Sequence, residues 1–512
     1  MNGANLDDLV DLLGRWASGR GPLYLLLAAR LRALVDDGVL APGETLPPDR
    51  ALAARLAVGR GTVVAAYDLL QQEGRVVRRQ GSGTRVAPLD LSAARSLDGV
   101  PANPLLMHIL HPPDGVALLT CAAPDEPPPE LAEAYAEAAA ALSGVRDLGY
   151  QPAGNATLRQ AVADYYTGRG LPTTPHEIVV TNGAQQALTL LAGLLLTPGD
   201  TVLTGSPTYP GALEVFRHAA AVVRPARLDP ALDPALDPAL DPARPDPGAA
   251  SVPDVAAAMR DRPALVYAVP TASNPTGSVM PAGARRRLAE LAARHDVPLI
   301  DDEVCAELCF TGETPPPLAA YSPGSPGSRG FPGSRGEQVI TIASLSKVVW
   351  GGLRIGWIRA PAALASRLSR LRAVHDLGGE VMGQLAAAAL LRRLDGIRRA
   401  RVAELRARHD HLRAELRALL PSWSFEPAAG GQTIWVRLPR GDADSFAQVA
   451  LRHGVAVPPG RSFDPLGGHP RHLRLHFLFP EEELSRAVRA LAAAWDAYDG
   501  TARPAARQPL VV

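Results

Sequence analysis

Lysine is almost absent from this chain of 512 residues, which carries 52 basic side chains. Fifty-one of these are arginines, and Lys347 is the single lysine. Arginine stays protonated near neutral pH, whereas a lysine amine can lose its proton and attack an aldehyde. This contrast makes Lys347 a candidate nucleophile, although chance in an arginine-rich composition explains a lone lysine equally well.

Cysteine is also scarce, with only Cys121, Cys305 and Cys309 in the chain. Three thiols cannot build a disulfide framework, and their spacing is not that of a zinc site. The sequence therefore predicts buried thiols in a reducing compartment and no metal site.

Net charge and long hydrophobic runs are missing as well. Acidic and basic residues both number 52, and 47% of the chain is hydrophobic, which indicates a globular protein rather than a disordered one. The longest apolar run, near residues 187–196, is about half a membrane span. The N-terminus lacks the basic start of a signal peptide, so we expect a cytoplasmic protein without a membrane segment.

The length and the changes of pattern along the chain predict several domains. Residues 15–87 hold short helical runs and then a turn-rich basic segment, whereas residues 88–114 have the proline content of a linker. In residues 115–500, apolar runs of strand length alternate with helical stretches, which is typical of an α/β fold with a mostly parallel sheet.

Two low-complexity insertions interrupt the larger domain. Residues 229–248 begin with a DPAL repeat, whose proline at every fourth position excludes a helix, and residues 322–336 are rich in glycine, proline and serine. We expect both to be surface loops, and we expect a disordered tail at residues 501–512.

The segment 46–86 has the pattern of a helix-turn-helix. Asp49 is a plausible N-cap of a first helix, and Val63, Tyr67 and Leu70 share one face of a second. The stretch that follows contains arginines but no acidic residue, which suits a two-stranded wing on a phosphate backbone. These arginines are Arg75, Arg78, Arg79 and Arg85.

The motifs L-P-x-x-R-x-L, x-R-x-T-V and R-x-G-x-G-T-x-V in this segment resemble the winged helix-turn-helix of GntR-type regulators. The resemblance implies DNA contacts by Arg50, Arg60, Thr62 and Gly81, and the charge of the wing adds Arg78 and Arg79 as predicted contacts. Gly59 stands where a serine is usual and Ala65 where many relatives have an arginine, which predicts altered readout of the DNA sequence. The alternative is a module that only packs or dimerises, against which the wing arginines count.

Polar motifs follow four predicted strands of the larger domain, at the positions where such folds place ligands. They are the Gly183 turn after 177–181, SNPTG (273–277) after 264–269, Asp301 and Asp302 after 297–300, and SLSK (344–347) after 339–342. The Gly183 turn opens a helix whose free backbone N–H groups can hold a phosphate. Pyridoxal phosphate needs such a cradle together with a lysine, a carboxylate for its ring nitrogen and a donor for its ring oxygen.

The order and spacing of these motifs resemble the fold-type I aminotransferases, which have a mostly parallel central sheet and a smaller C-terminal α+β subdomain. The resemblance implies that Lys347 forms a Schiff base with pyridoxal phosphate, that Asp302 pairs with the ring nitrogen and that Asn274 contacts the ring oxygen. It also implies that Tyr209 stacks on the ring and that Arg474 binds a substrate or effector carboxylate. The implied phosphate ligands are Gly183, Ala184, Gln185, Ser344, Ser346, Arg354 and, from a second subunit, Tyr150.

Two places in the sequence depart from the aminotransferase pattern. Val304 and Cys305 stand where a tyrosine normally donates to the ring oxygen, and Ala122 replaces a common glycine. The loss of this donor predicts weakened proton transfer and therefore poor transamination.

The combination of both domains resembles the MocR/GabR-type transcription regulators. This resemblance implies a homodimer that binds repeated DNA half-sites and senses pyridoxal phosphate or an amino-group effector. The alternative is a pyridoxal-phosphate-dependent aminotransferase with an accessory DNA-binding head. A third possibility, a scaffold that binds no cofactor, is disfavoured by the retained lysine and phosphate motifs.

Overall fold

The computed structural model describes residues 6–14, 16–17, 23–36, 39–40, 44–72, 76–79, 83–86, 115–124, 126–228, 254–311, 313–322 and 338–498. The chain forms two compact units, one of Met1–Met107 with Ala506–Val512 and one of His108–Ala505.

In the smaller unit, the described residues form four helices and a three-stranded sheet. These elements are α1 (Leu6–Leu13), α2 (Leu23–Asp36), β1 (Thr45–Leu46), α3 (Asp49–Arg55), α4 (Arg60–Gln72), β2 (Val76–Arg79) and β3 (Gly83–Val86). The strands pair in the order β1-β3-β2, and both pairs are antiparallel. This is the predicted helix-turn-helix with a two-stranded wing after α4.

The buried faces of the helices follow the predicted spacing. Val63, Tyr67 and Leu70 of α4 are each at most 1% exposed, and the Tyr67 hydroxyl donates to the Pro47 carbonyl at 2.9 Å. The prediction that Asp49 caps α3 is wrong, because Pro48 occupies the N-cap without a side-chain hydrogen bond and Asp49 is the first helical residue. The φ of Pro48, −56°, suits the entry into a helix, and α3 therefore begins one residue earlier than predicted, at Asp49 itself.

A seven-stranded sheet forms the centre of the larger unit. Its strands are β5 (Ile178–Thr181), β6 (Thr201–Thr204), β7 (Val222–Pro225), β8 (Leu265–Ala268), β9 (Leu299–Asp302), β10 (Val339–Ser344) and β11 (Gly356–Arg359). The short β4 (Ala117–Leu118) precedes them in the chain and belongs to a separate sheet. Their order is β5-β11-β10-β9-β8-β6-β7, and β11 runs antiparallel to the other six strands. Every residue of β5, β8, β9, β10 and β11 is buried, as expected for a sheet that is covered on both faces.

Helices between the strands cover this sheet. They are α5 (Pro129–Leu142), α6 (Ala156–Gly168), α7 (Ala184–Leu195), α8 (Pro210–His218), α9 (Val255–Ala258), α10 (Ala282–His295), α11 (Ala362–His375), α12 (Val381–Arg392) and α13 (Leu394–Leu419). One buried cluster joins α7, α8 and α11 to the sheet, and a larger one includes residues of α5, α6, α10 and α12. The alternation of strands and helices is the predicted α/β fold.

The C-terminal part builds a smaller α+β layer, as expected. An antiparallel sheet has the order β12-β13-β15, formed by β12 (Ser424–Phe425), β13 (Thr433–Arg437) and β15 (His472–His476). The helices α14 (Ala443–Arg452) and α15 (Glu481–Ala497) accompany it, and β14 (Val455–Ala456) pairs in parallel with β4. Edge-to-face contacts among Trp423, Phe446 and Trp495 hold these helices to the layer.

Within the described residues, no helix is both long and apolar enough to cross a membrane. The DPAL insertion, most of the second insertion and the C-terminal tail lie outside the described residues, so the expectations about them stay predictions.

Candidate functional site

Three neighbouring parallel strands bring the predicted residues of the larger unit to one edge of the sheet. The strands β8, β9 and β10 are adjacent and parallel, so their carboxyl ends point the same way. Asn274 follows β8, Asp302 is the last residue of β9, and Lys347 follows β10 by three residues. This is the edge at which ligands bind in open α/β sheets.

A glycine turn at the end of β5 forms a cradle for an anion. Gly183 is the N-cap of α7 with a φ of +78°, a conformation that favours glycine, and Ala184 and Gln185 open the helix. The Arg354 Nη2 donates to the Asn182 carbonyl at 2.7 Å. A Cβ atom at Gly183 would come within 2.9 Å of that same Nη2, so only a glycine at this position leaves room for the guanidinium. The free N–H groups of the helix terminus and the guanidinium together suit a phosphate.

Hydroxyl groups and Tyr209 border this cradle. The Ser344 and Ser346 Oγ atoms lie 2.8 Å apart, and the Ser344 hydroxyl also donates to the Ile355 carbonyl at 2.9 Å. On the other side, the Tyr209 hydroxyl donates to the Gln185 Oε1 at 3.2 Å, which orients the tyrosine beside the start of α7. Desolvation raises the pKa of Tyr209 to about 12, so its phenol stays neutral near pH 7.

The amine of Lys347 lies in the middle of this group. Its Nζ donates to the Ala122 carbonyl at 2.5 Å, which places the segment after β4 over the amine. Desolvation lowers the pKa of Lys347, and the nearby Arg474 acts in the same direction. A lysine with a lowered pKa loses its proton more readily and becomes a nucleophile or a base.

The carboxylate of Asp302 is held by two hydrogen bonds. The Tyr267 hydroxyl donates to Oδ2 at 2.5 Å, and the Val304 N–H donates to Oδ1 at 3.0 Å. Burial raises the pKa of Asp302 to about 6, and the bond from Tyr267 opposes that rise. Asp301 has a different environment, because its Oδ2 accepts from the Leu318 N–H at 2.7 Å, and burial together with the nearby Glu303 raises its pKa.

Arg474 reaches the same edge from β15 and is 3% exposed. Its Nη2 donates to the Thr120 carbonyl, and its Nη1 lies 3.5 Å from the Asn274 Oδ1. The guanidinium carbon also lies 5.1 Å from the centre of the Phe463 ring. Burial lowers the pKa of Arg474 to about 10, and its Nε lacks a hydrogen-bond partner among the described residues. A buried cation with a vacant donor is suited to a carboxylate ligand.

No tyrosine takes the place of the expected ring-oxygen donor at positions 304 and 305. The Val304 side chain carries no donor, and burial raises the pKa of the Cys305 thiol to about 12, so the thiol stays protonated. A thiol is a weak donor compared with a phenol. No group of metal-ligating side chains occurs in the described part of the chain.

In the smaller unit, the predicted DNA-contacting residues gather at the starts of α3 and α4. Arg50 is the second residue of α3 and is exposed, and Arg60 and Thr62 lie in the first turn of α4. The Arg60 Nε donates to the Asp49 Oδ2 at 2.8 Å. In the wing, Arg78 and Arg79 lie in β2 opposite Thr84 and Gly83 of β3. Gly81 lies outside the described residues.

Tyr150 differs from the other predicted ligands because its side chain is 69% exposed. Its contact with the phosphate of a second subunit stays a prediction. Sequence reasoning missed Tyr267 and Gly356, and a Cβ atom at Gly356 would come within 2.8 Å of the Gly183 backbone. The available signals were a tyrosine inside the strand before SNPTG and a glycine two residues after Arg354.

Two family models match this chain. Residues 115–491 match aminotransferase class I and II, and residues 23–86 match the bacterial regulatory proteins of the gntR family.

Several named proteins are similar to this chain over much of its length. An uncharacterized HTH-type transcriptional regulator, YisV of Bacillus subtilis, is 28% identical over 94% of this chain and 98% of its own length. The probable rhizopine catabolism regulatory protein MocR of Rhizobium meliloti is 30% identical over 68% of each chain. Among solved structures, the α-aminoadipate aminotransferase LysN of Thermus thermophilus, complexed with N-(5'-phosphopyridoxyl)-L-leucine, is 26% identical with a TM-score of 0.63, covering 80% of this chain and 97% of that one.

Proposed function

The chain belongs to the aminotransferase class I and II family, in the MocR-type arrangement with a gntR-family domain ahead of it, and from this we propose that it is a ligand-sensing transcription regulator. In this proposal the winged helix-turn-helix binds double-stranded DNA, and the larger unit binds pyridoxal phosphate and an amino-group effector. A DNA-binding role also requires the compartment that holds the DNA, so we propose a cytoplasmic location.

The observation that carries the proposal is that one chain holds two complementary sets of charges. Exposed arginines lie in the first turns of α3 and α4 of the smaller unit, where they suit a phosphate backbone. A buried carboxylate, a buried arginine and the half-buried Lys347, whose pKa is lowered by desolvation, meet at the strand ends of the larger unit, where they suit a small zwitterionic ligand.

The residues at the sheet edge fit pyridoxal phosphate. The Gly183 cradle is open only because position 183 lacks a Cβ atom, and the Arg354 guanidinium borders it. Asp302 is a buried carboxylate of the kind that keeps a ring nitrogen protonated. Homologues of this chain with the aminotransferase class I and II fold depend on pyridoxal phosphate. When bound, pyridoxal phosphate supplies an aldehyde and an electron-withdrawing ring.

We assign a role to each side chain around that cofactor. Ser346 and Arg354, with the N–H groups that open α7, would hold the phosphate, and Tyr209 would lie against the ring. Asp302, oriented by the Tyr267 hydroxyl, would hold a proton on the ring nitrogen. Lys347, with its lowered pKa, would give up and take back a proton at Nζ. Arg474 would bind the carboxylate of an amino-acid effector through its remaining N–H donors, including the Nε that has no partner among the described residues.

The missing donor at positions 304 and 305 favours a sensor over an efficient enzyme. A cofactor without a strong donor on its ring oxygen still binds ligands, but its proton transfers are poorly supported. The retained Lys347 and Arg474 favour the second candidate function, an aminotransferase with an accessory DNA-binding head. Sustained turnover of an amino donor with a keto-acid acceptor, at the rates of ordinary enzymes, would establish that second function.

We further propose a homodimer, with Tyr150 of one subunit reaching the cofactor phosphate of the other. The large exposed fraction of Tyr150 leaves it available for such a contact. A ligand can change DNA binding only if it binds two dimer conformations with different affinities. Binding to repeated DNA half-sites then depends on the spacing between the two winged helix-turn-helix domains of the dimer.

The test measures binding of the full-length chain to the DNA upstream of its own coding region, at stated salt, with and without pyridoxal phosphate. Arg60→Ala should abolish the preference for this DNA over a scrambled fragment. Lys347→Ala should remove the visible absorbance of the bound cofactor and the response of DNA binding to it. Arg55→Ala, another exposed arginine of the same unit, is the matched control and should leave the preference intact. Weak, salt-sensitive binding that Arg60→Ala leaves unchanged would overturn the proposal.

A further inference from the structure

An ion pair lies at the point where the two helices of the helix-turn-helix begin. Asp49 is the first residue of α3 and Arg60 is the first residue of α4. The Arg60 Nε donates to the Asp49 Oδ2 at 2.8 Å, and the two side chains are 55% and 25% exposed. This hydrogen bond lowers the pKa of Asp49, so the carboxylate stays charged.

A carboxylate at this position has an electrostatic cost for a DNA-binding surface. The phosphates of a duplex repel a negative charge that lies beside the arginine meant to contact them. The carboxylate is not the side-chain N-cap of α3, since Pro48 holds that position, although a negative charge in the first turn is favoured by the helix dipole. The carboxylate instead joins two helix starts, since its Oδ1 accepts from the Arg50 N–H at 2.9 Å while its Oδ2 accepts from Arg60.

The atoms used in this bond leave the DNA-binding end of the arginine available. The guanidinium has five N–H donors in a planar fork, and the bond to Asp49 uses the one on Nε. The terminal nitrogens can then meet a base edge or a phosphate. An arginine that is already held by one bond loses less rotamer freedom when it binds.

We propose that Asp49 is a positioning residue for sequence recognition. Its carboxylate orients the Arg60 guanidinium, which increases the preference of the protein for one DNA sequence over others. The same negative charge lowers the affinity of the protein for DNA of any sequence. This inference rests on the proposed DNA-binding function. It predicts opposite changes in specific and non-specific binding when the charge of Asp49 is removed, which a merely structural role would not produce.

The same unit contains a matched ion pair for comparison. The Arg55 Nε donates to the Asp7 Oδ1 at 2.9 Å, with side chains that are 50% and 68% exposed. The pair has the same atoms, nearly the same length and a similar exposure of the arginine. Arg55 ends α3, whereas Arg60 begins α4, so Asp7→Asn removes an equivalent charge without touching the residue that we assign to DNA.

The experiment uses the full-length chain and two DNA fragments of equal length, the region upstream of its own coding sequence and a scrambled version. Asp49→Asn keeps the shape of the side chain and an oxygen for the Arg50 N–H. We expect it to strengthen binding to scrambled DNA while it lowers the ratio of specific to scrambled affinity by roughly tenfold, the order of one lost base contact. Asp7→Asn should strengthen binding to both fragments equally and leave the ratio unchanged.

A double variant separates orientation from charge. If Asp49 acts through Arg60, adding Asp49→Asn to Arg60→Ala should lower the ratio no further than Arg60→Ala alone. An Asp49→Asn chain that keeps its circular dichroism and the wild-type ratio would overturn the inference and leave the DNA-binding function standing. A wild-type chain that does not prefer its upstream region would overturn both.

Discussion

The two functional regions of this chain place their charged side chains in opposite environments. In the helix-turn-helix, the side chain of Arg60 is 55% exposed and pairs with a carboxylate at the surface. At the sheet edge, Asp302 is 5% exposed and Arg474 is 3% exposed. Burial raises the pKa of Asp302 to about 6 and lowers that of Arg474 to about 10. Exposed charges act at long range and are screened by salt, whereas buried ones act through short contacts and shifted proton affinities.

The largest effect that this contrast predicts concerns a buried ion pair of the larger unit. The Arg169 guanidinium donates to both oxygens of Glu303, at 2.8 and 2.9 Å, and the Glu303 side chain is fully buried. Arg169→Ala would leave that carboxylate buried and unpaired, so we expect a loss of about 3–5 kcal/mol in the free energy of unfolding. Denaturant unfolding followed by tryptophan fluorescence measures it, since five of the six tryptophans belong to this unit.

An exposed pair of the same unit is the control for that measurement. Arg287 lies 3.5 Å from Asp254, and the two side chains are 58% and 49% exposed. Arg287→Ala should change the free energy of unfolding by at most about 1 kcal/mol. Equal losses from both variants would contradict the contrast between buried and exposed charges.

The next effect concerns the ligand affinity of Arg474. Arg474→Ala removes a buried cation, and we expect the binding of amino acids to weaken by about 2–5 kcal/mol. Titration of the cofactor-loaded chain with an amino acid, followed by absorbance, measures this change. Binding of the matching amine without a carboxylate is the internal control and should change much less. An equal loss for both ligands would show that Arg474 does not contact the carboxylate.

A smaller effect is expected where a hydroxyl supports a charge. Tyr267→Phe removes a hydrogen bond to Asp302, so cofactor affinity near neutral pH should fall by about 1.5–3 kcal/mol. The ionised carboxylate is the form that pairs with a protonated ring nitrogen, so affinity should fall as the pH drops through the Asp302 pKa of about 6. That midpoint should rise in Tyr267→Phe, because the lost bond lowers the pKa of Asp302 in the wild type.

Tyr166→Phe is the matched control for this pH profile. Tyr166 is a buried tyrosine whose hydroxyl accepts from the Trp357 Nε1 at 3.0 Å rather than donating to Asp302. Its replacement should leave the midpoint of cofactor binding unchanged. A shift of equal size in both variants would attribute the effect to general packing.

The smallest effect belongs to the surface of the helix-turn-helix. Arg55→Ala breaks an exposed pair with Asp7, and we expect a change of only about 0.2–1 kcal/mol in the stability of the smaller unit. Thermal unfolding followed by circular dichroism at low and high salt measures it, and the difference should shrink as salt screens the pair. A large, salt-independent loss would show that this pair is structural.

Much of the architecture follows from local patterns in the sequence. The alternation of apolar runs predicts the α/β unit, and the spacing of Val63, Tyr67 and Leu70 predicts the buried face of α4. The motifs after the strands predict which residues stand at the carboxyl edge, because parallel strands end on the same side. The prediction of Asp49 as an N-cap was wrong because a proline at the preceding position already suits the helix entry.

The sequence by itself determined the two domain families, the candidate cofactor lysine and the missing tyrosine at positions 304 and 305, since each depends on residue type and spacing along the chain. Only the tertiary structure decided the partners of these groups. Tyr267 and Asp302 are 35 residues apart, and Arg474 and Thr120 are 354 apart. The directions of the pKa shifts depend on such contacts and on burial, which arise when distant segments pack together and which no local pattern encodes.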